Sequence, residues 1–202
     1  MFLHLHIQNY EVITYDMNKK KAILQAALKL FAEKSFYGTK MPEISQLANV
    51  GAGTIYRYFD SKEDLVNNLF LRTMTQFDQQ LELNFPNTMA TKIQFHHLFQ
   101  SLWSYVVNNT QAFIFINLHD QGKYLDSQSR ASFDKLWDFI TEIISHGQTR
   151  GDLIDLDPKS IVSLVYGPLI PISKMLSHQG YTASKDLVFA LEEATWRAVS
   201  IT

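Results

Sequence analysis

The chain has 202 residues, a formal net charge of −2, 46% hydrophobic residues and 13% aromatic residues, which is enough apolar material for the core of one or two small folded domains. It has no cysteine, so disulfides, thiolate metal sites and a cysteine nucleophile are excluded, and the composition fits a reducing cytoplasm. No stretch approaches the roughly 18 consecutive apolar residues of a membrane span. We therefore expect a folded cytoplasmic protein with no membrane partner.

Residues 1–16 show a weak strand-like alternation, in which Leu3, Leu5 and Ile7 are separated by polar residues. They lack the basic start and the small-residue cleavage site of an export signal. Because no later segment predicts a sheet for such a strand to join, we interpret residues 1–16 as an extension outside the core.

Residues 39–60 have the pattern of two short helices joined by a tight glycine turn. The first helix is predicted to begin after Thr39, whose hydroxyl can cap it, and it tolerates Pro42 in its first turn. The predicted turn is Asn49-Val50-Gly51, so the two helices should meet at a steep angle, as in a helix-turn-helix.

The second helix of this pair has two kinds of side chain. Ile55 and Phe59 are expected to face inward. The exposed side carries hydroxyl groups and a guanidinium that can contact nucleic acid, on Thr54, Tyr56, Arg57 and Tyr58. On an isolated helix the same side chains would also suit an ordinary hydrated surface, so the assignment depends on the surrounding residues.

The surrounding residues carry a family resemblance. The strings AILQAALKLFAEKSFYGTKM and PEISQLANVGAGTIYRYFDSKEDL, which lie within residues 19–65 and cover about a quarter of the chain, resemble the amino-terminal DNA-binding domain of the TetR family of bacterial transcriptional regulators. The family usually has Ser or Thr where this chain has Gly51, so the second helix lacks a side-chain cap.

MNKKKAILQAAL, from Met17, is a natural opening for the family. We hypothesise that translation begins there, which the intact mass of the native protein would test.

The charge is distributed unevenly along the chain. Residues 18–64 hold eight Lys or Arg against five acidic residues, whereas residues 65–202 hold ten against thirteen. A basic head on a mildly acidic body is typical of a DNA-binding protein with a separate sensing domain. We predict a helix-turn-helix DNA-binding domain over 17–64 and a helical ligand-binding and dimerisation domain over 65–202.

Six further helices are predicted after the head, and Ser61 can cap the first of them. Their expected ranges are 61–83, 90–108, 111–121, 127–150, 158–177 and 184–200. Gly151 is expected to end the fourth, and Asp157 with Pro158 to begin the fifth. No segment predicts a reliable strand, so the expected fold class is all-α with about nine helices, three of them in the head.

Gly167-Pro168 and Pro171 fall inside the fifth of these helices. Each proline removes an amide hydrogen bond and would clash one turn back, so a bend or break is expected near Tyr166. The break could only shape the packing, or it could open carbonyl groups onto a cavity or a dimer seam, and the sequence does not choose between these.

The body is rich in aromatic residues on helices that must converge. Many of them will be core, but apolar cavities with a few polar groups bind small lipophilic molecules, and the family resemblance implies an inducer cavity between the central helices. We expect a small-molecule effector of lipophilic character, and the predicted ligand-binding residues are Phe99, Trp103, Phe115, His119, Trp137 and Tyr166.

A polar group on the same helices comprises His96, His97, Asn117, His119 and Asp120. These side chains could bind the polar end of a ligand or a metal ion. Their spacing matches no established metal motif, however, and His96 and His97 point about 100° apart on a helix. We expect satisfied or exposed histidines, and we predict neither a metal site nor a cofactor.

The expected DNA contacts fall into two classes. Phosphates would be held by Thr39, Tyr56, Tyr58 and Lys62, with Lys40 in the same interface. Bases would be read by Arg57 and Thr54, with the methyl group of Ala52.

The resemblance also implies a mechanism. Two heads would bind a palindromic DNA operator, a homodimer would form through the last two helices, and a ligand in the body would change the spacing of the heads through the long helix that follows Ser61. Release of a repressor is the default expectation. One alternative is a DNA-binding regulator without a ligand, whose body only dimerises. An enzyme is a second alternative, but the sequence has no Ser elbow, metal quartet or paired-carboxylate motif.

Overall fold

The computed structural model describes residues 2–178 and 181–201, with side chains described from Asp16 onward. Within these ranges the fold is all-α, as predicted, and the extended residues pair only in an isolated bridge between Leu153 and Ser200. The ten helical segments found there are α1 Phe2–Gly38, α2 Met41–Leu47, α3 Ala52–Tyr56, α4 Lys62–Glu82, α5 Thr91–Asn108, α6 Thr110–His119, α7 Ser127–Thr149, α8 Pro158–Tyr166, α9 Leu169–Leu176 and α10 Lys185–Val199. None of these helices is long and apolar enough to cross a membrane.

The first helix is longer than the sequence pattern indicated. α1 already begins at Phe2, so the weakly strand-like alternation near the start of the chain lies in a helix. The backbone leaves helical geometry at Ser35, where φ is 59° and ψ is 178°. The division of the chain at residues 1–16, 17–64 and 65–202 stays a prediction.

The helices α1, α2 and α3 form a head around a shared apolar core. Ile23 and Phe31 of α1 and Ile44 of α2 are 0% exposed, and Ile55 and Phe59 are 1% exposed. The prediction that Ile55 and Phe59 face inward is therefore confirmed. Their burial turns the opposite side of α3 towards solvent, because successive residues of a helix point about 100° apart.

The helix cap predicted at Thr39 is wrong, because the N-cap of α2 is Lys40. Its side chain is fully buried, and its hydroxyl lies within hydrogen-bonding distance of two backbone carbonyl oxygens, 3.1 Å from that of Leu30 and 2.8 Å from that of Ser35. Lys40 directly precedes the first residue of α2, and its backbone amide donates to the carboxylate of Glu43 over 2.9 Å. A fully buried hydroxyl that already donates inside the head is not available to a DNA phosphate, which argues against the phosphate contact predicted for Thr39.

The turn between α2 and α3 depends on asparagine rather than glycine. Asn49 has a φ of 53°, in the left-handed region, while Gly51 has a φ of −63°. Asparagine tolerates left-handed geometry better than most residues because its short polar side chain can bond locally. Gly51 is the N-cap of α3 and makes no side-chain cap, as expected from its lack of a side chain.

Four helices of the body begin at a residue whose side chain accepts a hydrogen bond from the backbone three residues later. These are Ser61 for α4, Asp126 for α7, Asp157 for α8 and Ser184 for α10. Such caps satisfy amides that have no partner inside the helix. The predicted caps at Ser61 and Asp157 are confirmed, and Gly151, with a φ of 74°, follows the end of α7 as predicted.

The predicted break near Tyr166 is also confirmed, and it accounts for the tenth helical segment. α8 ends at Tyr166 and α9 begins at Leu169. Pro168 and Pro171 have no amide hydrogen to donate one turn back. A Cβ atom added to Gly167 would lie 2.6 Å from the carbonyl oxygen of Ser163, so no larger residue fits without a backbone shift.

Gly147 in α7 supports a close contact between helices. A Cβ atom there would lie 2.6 Å from Cδ1 of Leu153 and 2.9 Å from Cγ2 of Thr91, both of which are buried. Gly147→Ala should therefore destabilise the protein relative to Gly53→Ala, for which a Cβ atom meets nothing within 4 Å. Both variants gain helix propensity, so the difference of about 1–3 kcal/mol between their free energies of unfolding reports overpacking. Urea unfolding measures it, and equal stability of the two variants would contradict the packing described.

Candidate functional site

The first candidate site is the exposed side of α3 and the residues that flank it. Tyr56 is 55% exposed. Ala52 and Arg57 are also exposed, and Thr54 and Tyr58 are half-buried beside them. The structure therefore places these five predicted DNA-contacting residues on or beside one short solvent-facing helix.

Two lysines extend this surface on either side of α3. Lys40 is exposed at the start of α2. Lys62 is the first residue of α4, and its Nζ lies 4.2 Å from the centre of the Phe36 ring. Partial burial lowers the pKa of Lys62 below its usual value. Both positions are compatible with the predicted phosphate contacts.

Arg57 and Tyr58 share a partner that no sequence pattern indicated. Nη2 of Arg57 lies 2.6 Å from Oδ1 of Asp16, and the Tyr58 hydroxyl donates to the same carboxylate oxygen over 2.6 Å. The Arg57 guanidinium also lies 4.9 Å from the centre of the Tyr58 ring. More than forty positions separate Asp16 from its partners, so no local pattern could have indicated the contact. Arg57 must exchange this carboxylate for DNA if it is to read a base.

The second candidate site is a cavity of about 400 Å³ in the body. Its lining comes mainly from α4, α5, α7 and α8 and is almost entirely apolar. Of the predicted ligand-binding residues, the structure places Phe99, Trp137 and Tyr166 in this lining. The volume lies within the usual range of small-molecule sites.

The polar groups of the cavity come mainly from α6, the residue that follows it and α8, together with Thr91 at the start of α5. The side-chain amide of Asn117 donates to the carbonyl of Phe113 over 2.7 Å and to the Tyr166 hydroxyl over 2.9 Å. Asp120 follows the last turn of α6 and also lines the cavity. Burial raises the pKa of the Asp120 carboxyl and of the Tyr166 hydroxyl, because both groups lose hydration when charged.

The other three residues predicted to bind the ligand lie outside the lining. Trp103 packs at the edge of the main core. Phe115 is fully buried against Phe31 and Phe70, with ring centres 6.2 Å apart in each pair. His119 is fully buried too, with Nε2 3.3 Å from the Phe31 carbonyl oxygen and Nδ1 bonded to the Tyr124 hydroxyl. This placement corrects the prediction: the helical position of Phe115 and His119 turns them towards the head, away from the cavity.

His96 and His97 also lie away from the cavity. His96 pairs with the buried carboxylate of Glu192 at the surface, and the ring of His97 packs against Phe85 with centres 5.8 Å apart. Among the residues whose side chains are described, no group of three or more His, Asp or Glu is arranged to hold a metal ion. The predicted polar cluster is therefore divided, and only Asn117 and Asp120 reach the cavity.

Comparison with known families covers nearly the whole chain. Residues 23–69 match the family described as bacterial regulatory proteins, tetR family. Residues 70–201 match the one described as tetracyclin repressor-like, C-terminal domain. The chain belongs to the TetR family. Its members are transcriptional regulators with a DNA-binding domain, and α3 lies within the residues that match the first of these families.

Individual TetR relatives are similar over different lengths. An HTH-type transcriptional regulator from Haemophilus influenzae is 22% identical over 177 residues, which is 88% of this chain and 93% of the relative. The regulator YhgD from Bacillus subtilis is 35% identical over 81 residues, so the chain matches only 40% of that relative's length.

Solved structures of TetR proteins share the fold. A TetR family transcription regulator from Shewanella sp. PV-4 has a TM-score of 0.73 at 24% identity and covers 91% of this chain and 99% of its own. AibR, solved with isovaleryl coenzyme A and operator DNA, has a TM-score of 0.72 at 19% identity and covers 86% of this chain and 96% of its own. These two likenesses concern the architecture.

In this TetR fold, α6 lies between the head and the cavity. Its residues Phe115 and His119 contact Phe31 of α1, while Asn117 and Asp120 line the cavity. One short helix thus joins the two candidate sites.

Proposed function

We propose that this TetR family protein is a ligand-responsive transcriptional repressor. In this proposal a homodimer binds a palindromic operator through its two heads, and a small lipophilic molecule in the body cavity releases it. The observation that carries the proposal is the position of α6, which lines the cavity and packs on the head.

The contacts of α6 support coupling between ligand and DNA. A ligand that shifts Asn117 or Asp120 also displaces the buried pair Phe115 and His119, which pack on α1. Packed helices move as units because their side chains interdigitate closely. The operator affinity would then fall by the ratio of the ligand's affinities for the two arrangements of the heads.

The helix α4 supplies a second route, the one expected from the sequence. Phe77 and Leu81 of α4 line the cavity, and Leu65 and Val66 at its other end are 0% exposed in the core shared with the head. A change in the tilt of α4 would therefore move the head relative to the cavity.

Dimerisation through the last helices is supported by exposed apolar side chains. Leu164 of α8, Met175 of α9 and Phe189 of α10 are 42%, 45% and 68% exposed. Ala190, Ala194 and Ala198 also form an exposed face at every fourth residue of α10, and such small side chains allow a partner helix to approach closely. Thr195 of the same helix is buried within the chain, so the alanine face is the better candidate for the dimer seam.

The cavity also bears on the alternative of a regulator whose body only dimerises. Its volume of about 400 Å³ and its apolar lining are those of a binding site for a small molecule. A body needed only for dimerisation gives no reason to keep this space open, since unfilled apolar volume costs stability.

Operator binding tests the regulatory function directly. The purified protein should bind the DNA upstream of its own gene more tightly than a random duplex of equal length, across a series of salt concentrations. Weak and equal binding to both duplexes at every salt concentration would count against control of its own promoter.

Tyr56→Phe should weaken binding to operator and random DNA alike. The exposed hydroxyl is proposed to bond a phosphate, which positions the head without reading sequence. Loss of one such bond from each of two heads should cost about 1–3 kcal/mol in total. Fluorescence anisotropy with both duplexes measures the effect, with Tyr181→Phe in the body as the control. A loss confined to the operator would instead make Tyr56 a base reader.

A further inference from the structure

Apart from Thr91 of α5, the polar residues of the cavity are gathered in one corner. Rings and alkyl chains from α4, α5 and α7 face this corner, which contains Asn117, Asp120, Ser163 and Tyr166. It lies beside the break between α8 and α9, where Gly167 also lines the cavity. A site divided in this way fits a molecule with a large apolar part and one polar end.

The corner offers three side-chain oxygens of Asn117 and Asp120 as hydrogen-bond acceptors, while the Tyr166 hydroxyl, which accepts from Asn117, can donate its one hydrogen. Asn117 uses its side-chain nitrogen to donate to the Phe113 carbonyl and to the Tyr166 hydroxyl. An amide has two such hydrogens, so its carbonyl oxygen remains to accept a bond from a ligand. An ionised Asp120 also only accepts. A ligand group that donates several hydrogens matches these acceptors.

Asp120 is the one charged residue in the described lining, which contains no Lys, Arg or His. Asp120 is half-buried. The two buried carboxylates in the described part of the body each face a basic side chain: Asp78 lies 3.7 Å from Lys135, and Glu192 pairs with His96. Burial raises the pKa of Asp120, and the hydrogen bonds that its carboxylate accepts from Gln121 offset this effect only in part. A cation brought by the ligand would provide the missing counter-charge.

We propose that the effector is a lipophilic amine, whose protonated nitrogen binds the carboxylate of Asp120 and the side-chain oxygen of Asn117 while its hydrocarbon part fills the apolar cavity. The rings of Trp137 and Tyr166, which line the same cavity, can add cation–π attraction. A carboxylate or phosphate in this corner would meet the like charge of Asp120. The inference rests on the proposed effector role of this cavity and narrows its ligand to one chemical class.

Three probes have hydrocarbon chains of equal length and differ in their polar group, so their affinities compare the three head groups. They are n-decylamine, n-decanol and n-decanoate. Isothermal titration calorimetry with the full-length protein should show that decylamine binds about tenfold more tightly than either of the others. Asp120→Asn should lower decylamine affinity by about 10- to 100-fold, the range for a lost charge-assisted bond, and leave decanol affinity within about twofold. Retained decanol binding shows that the variant is folded. Asp138→Asn, which changes an exposed carboxylate on α7, should behave as the unaltered protein.

Three outcomes would overturn the inference. They are decanoate binding as tightly as decylamine, Asp120→Asn weakening decylamine and decanol equally, and the absence of binding by all three probes. Operator release is measured separately by anisotropy. Asp120-dependent binding of decylamine without release would keep the ligand class and remove the effector role. Release by decanoate but not decylamine would keep the effector role and remove the ligand class.

Discussion

Replacing Arg57 with alanine is expected to lower the affinity for the specific operator strongly while changing binding to random DNA little. Arg57 is exposed beside α3, on the surface that we propose binds operator DNA. A base contact by arginine contributes about 1–3 kcal/mol, so its loss from both heads of the proposed dimer should cost about 2–6 kcal/mol. This corresponds to a loss of roughly thirtyfold or more in operator affinity.

Anisotropy titrations with operator and random duplexes measure this difference. Lys62→Ala serves as the matched control, because a lost phosphate contact should weaken both complexes equally and reduce the salt dependence of binding. Equal losses for the operator and the random duplex in Arg57→Ala would assign Arg57 to the phosphates and leave base reading to Thr54 and Ala52.

The contact of Arg57 with Asp16 gives this experiment a second arm. In the free protein Nη2 of Arg57 lies 2.6 Å from the Asp16 carboxylate, and the two side chains are 56% and 49% exposed. An exposed pair of this kind is worth less than about 1 kcal/mol, so Asp16→Asn should raise DNA affinity only a few-fold. In a protein that already carries Arg57→Ala, Asp16→Asn should raise DNA affinity less than it does in the unaltered protein, because the Arg57–Asp16 contact no longer exists.

His119 should make the protein less stable as the pH falls from neutral to about 4. The side chain is fully buried, and because the Phe31 carbonyl can only accept, Nε2 donates to it and Nδ1 accepts from the Tyr124 hydroxyl. Burial lowers the pKa of His119 to about 4, since the neutral ring is favoured away from water. In the unfolded chain the ordinary value of 6.5 applies.

The sign of the effect follows from these two pKa values. Above pH 6.5 the ring is neutral in both states, so its contribution to the folded state is fully present. Between pH 6.5 and 4 the unfolded chain binds a proton that the folded protein does not, and up to about 3 kcal/mol of stability is lost. Below pH 4 both states bind the proton and the loss does not increase.

Urea unfolding of the protein and of His119→Gln at several pH values measures this contribution. His119→Gln should be less stable than the unaltered protein at pH 7 but should lose less stability by pH 4. The difference between their free energies of unfolding should therefore shrink by about 3 kcal/mol over this range. His178→Gln changes an exposed histidine and should keep the pH dependence of the unaltered protein. Parallel curves for the protein and His119→Gln would rule out His119 as the titrating group.

The helices of the body were largely predictable, because their signals are local. Ser61, Asp157 and Gly151 mark helix ends through groups within a few residues of themselves. The break before Leu169 could be predicted for the same reason, since a proline affects the turn that precedes it. The inward side of α3 followed from the spacing of Ile55 and Phe59.

The candidate sites were only partly predictable. Phe99, Trp137 and Tyr166 line the cavity. Phe115 and His119 are of the same residue types as residues that line such cavities, yet they pack on the head. Composition does not tell on which side of α6 a neighbouring helix lies. The fully buried position of Thr39 depends on the carbonyls of Leu30 and Ser35, and the latter is presented by a non-helical backbone that no sequence signal marked.

The sequence by itself determined the helical periodicity, most helix boundaries and the membership in a DNA-binding family, because these depend on short-range spacing and on motifs within residues 19–65. Only the tertiary structure decided which side chains share a space. Asp16 reaches Arg57, Asn117 reaches Tyr166 and His119 reaches Phe31 across separations of 41, 49 and 88 positions. Such contacts depend on how whole helices pack, and helix packing depends on the combined shape of many side chains rather than on any local pattern.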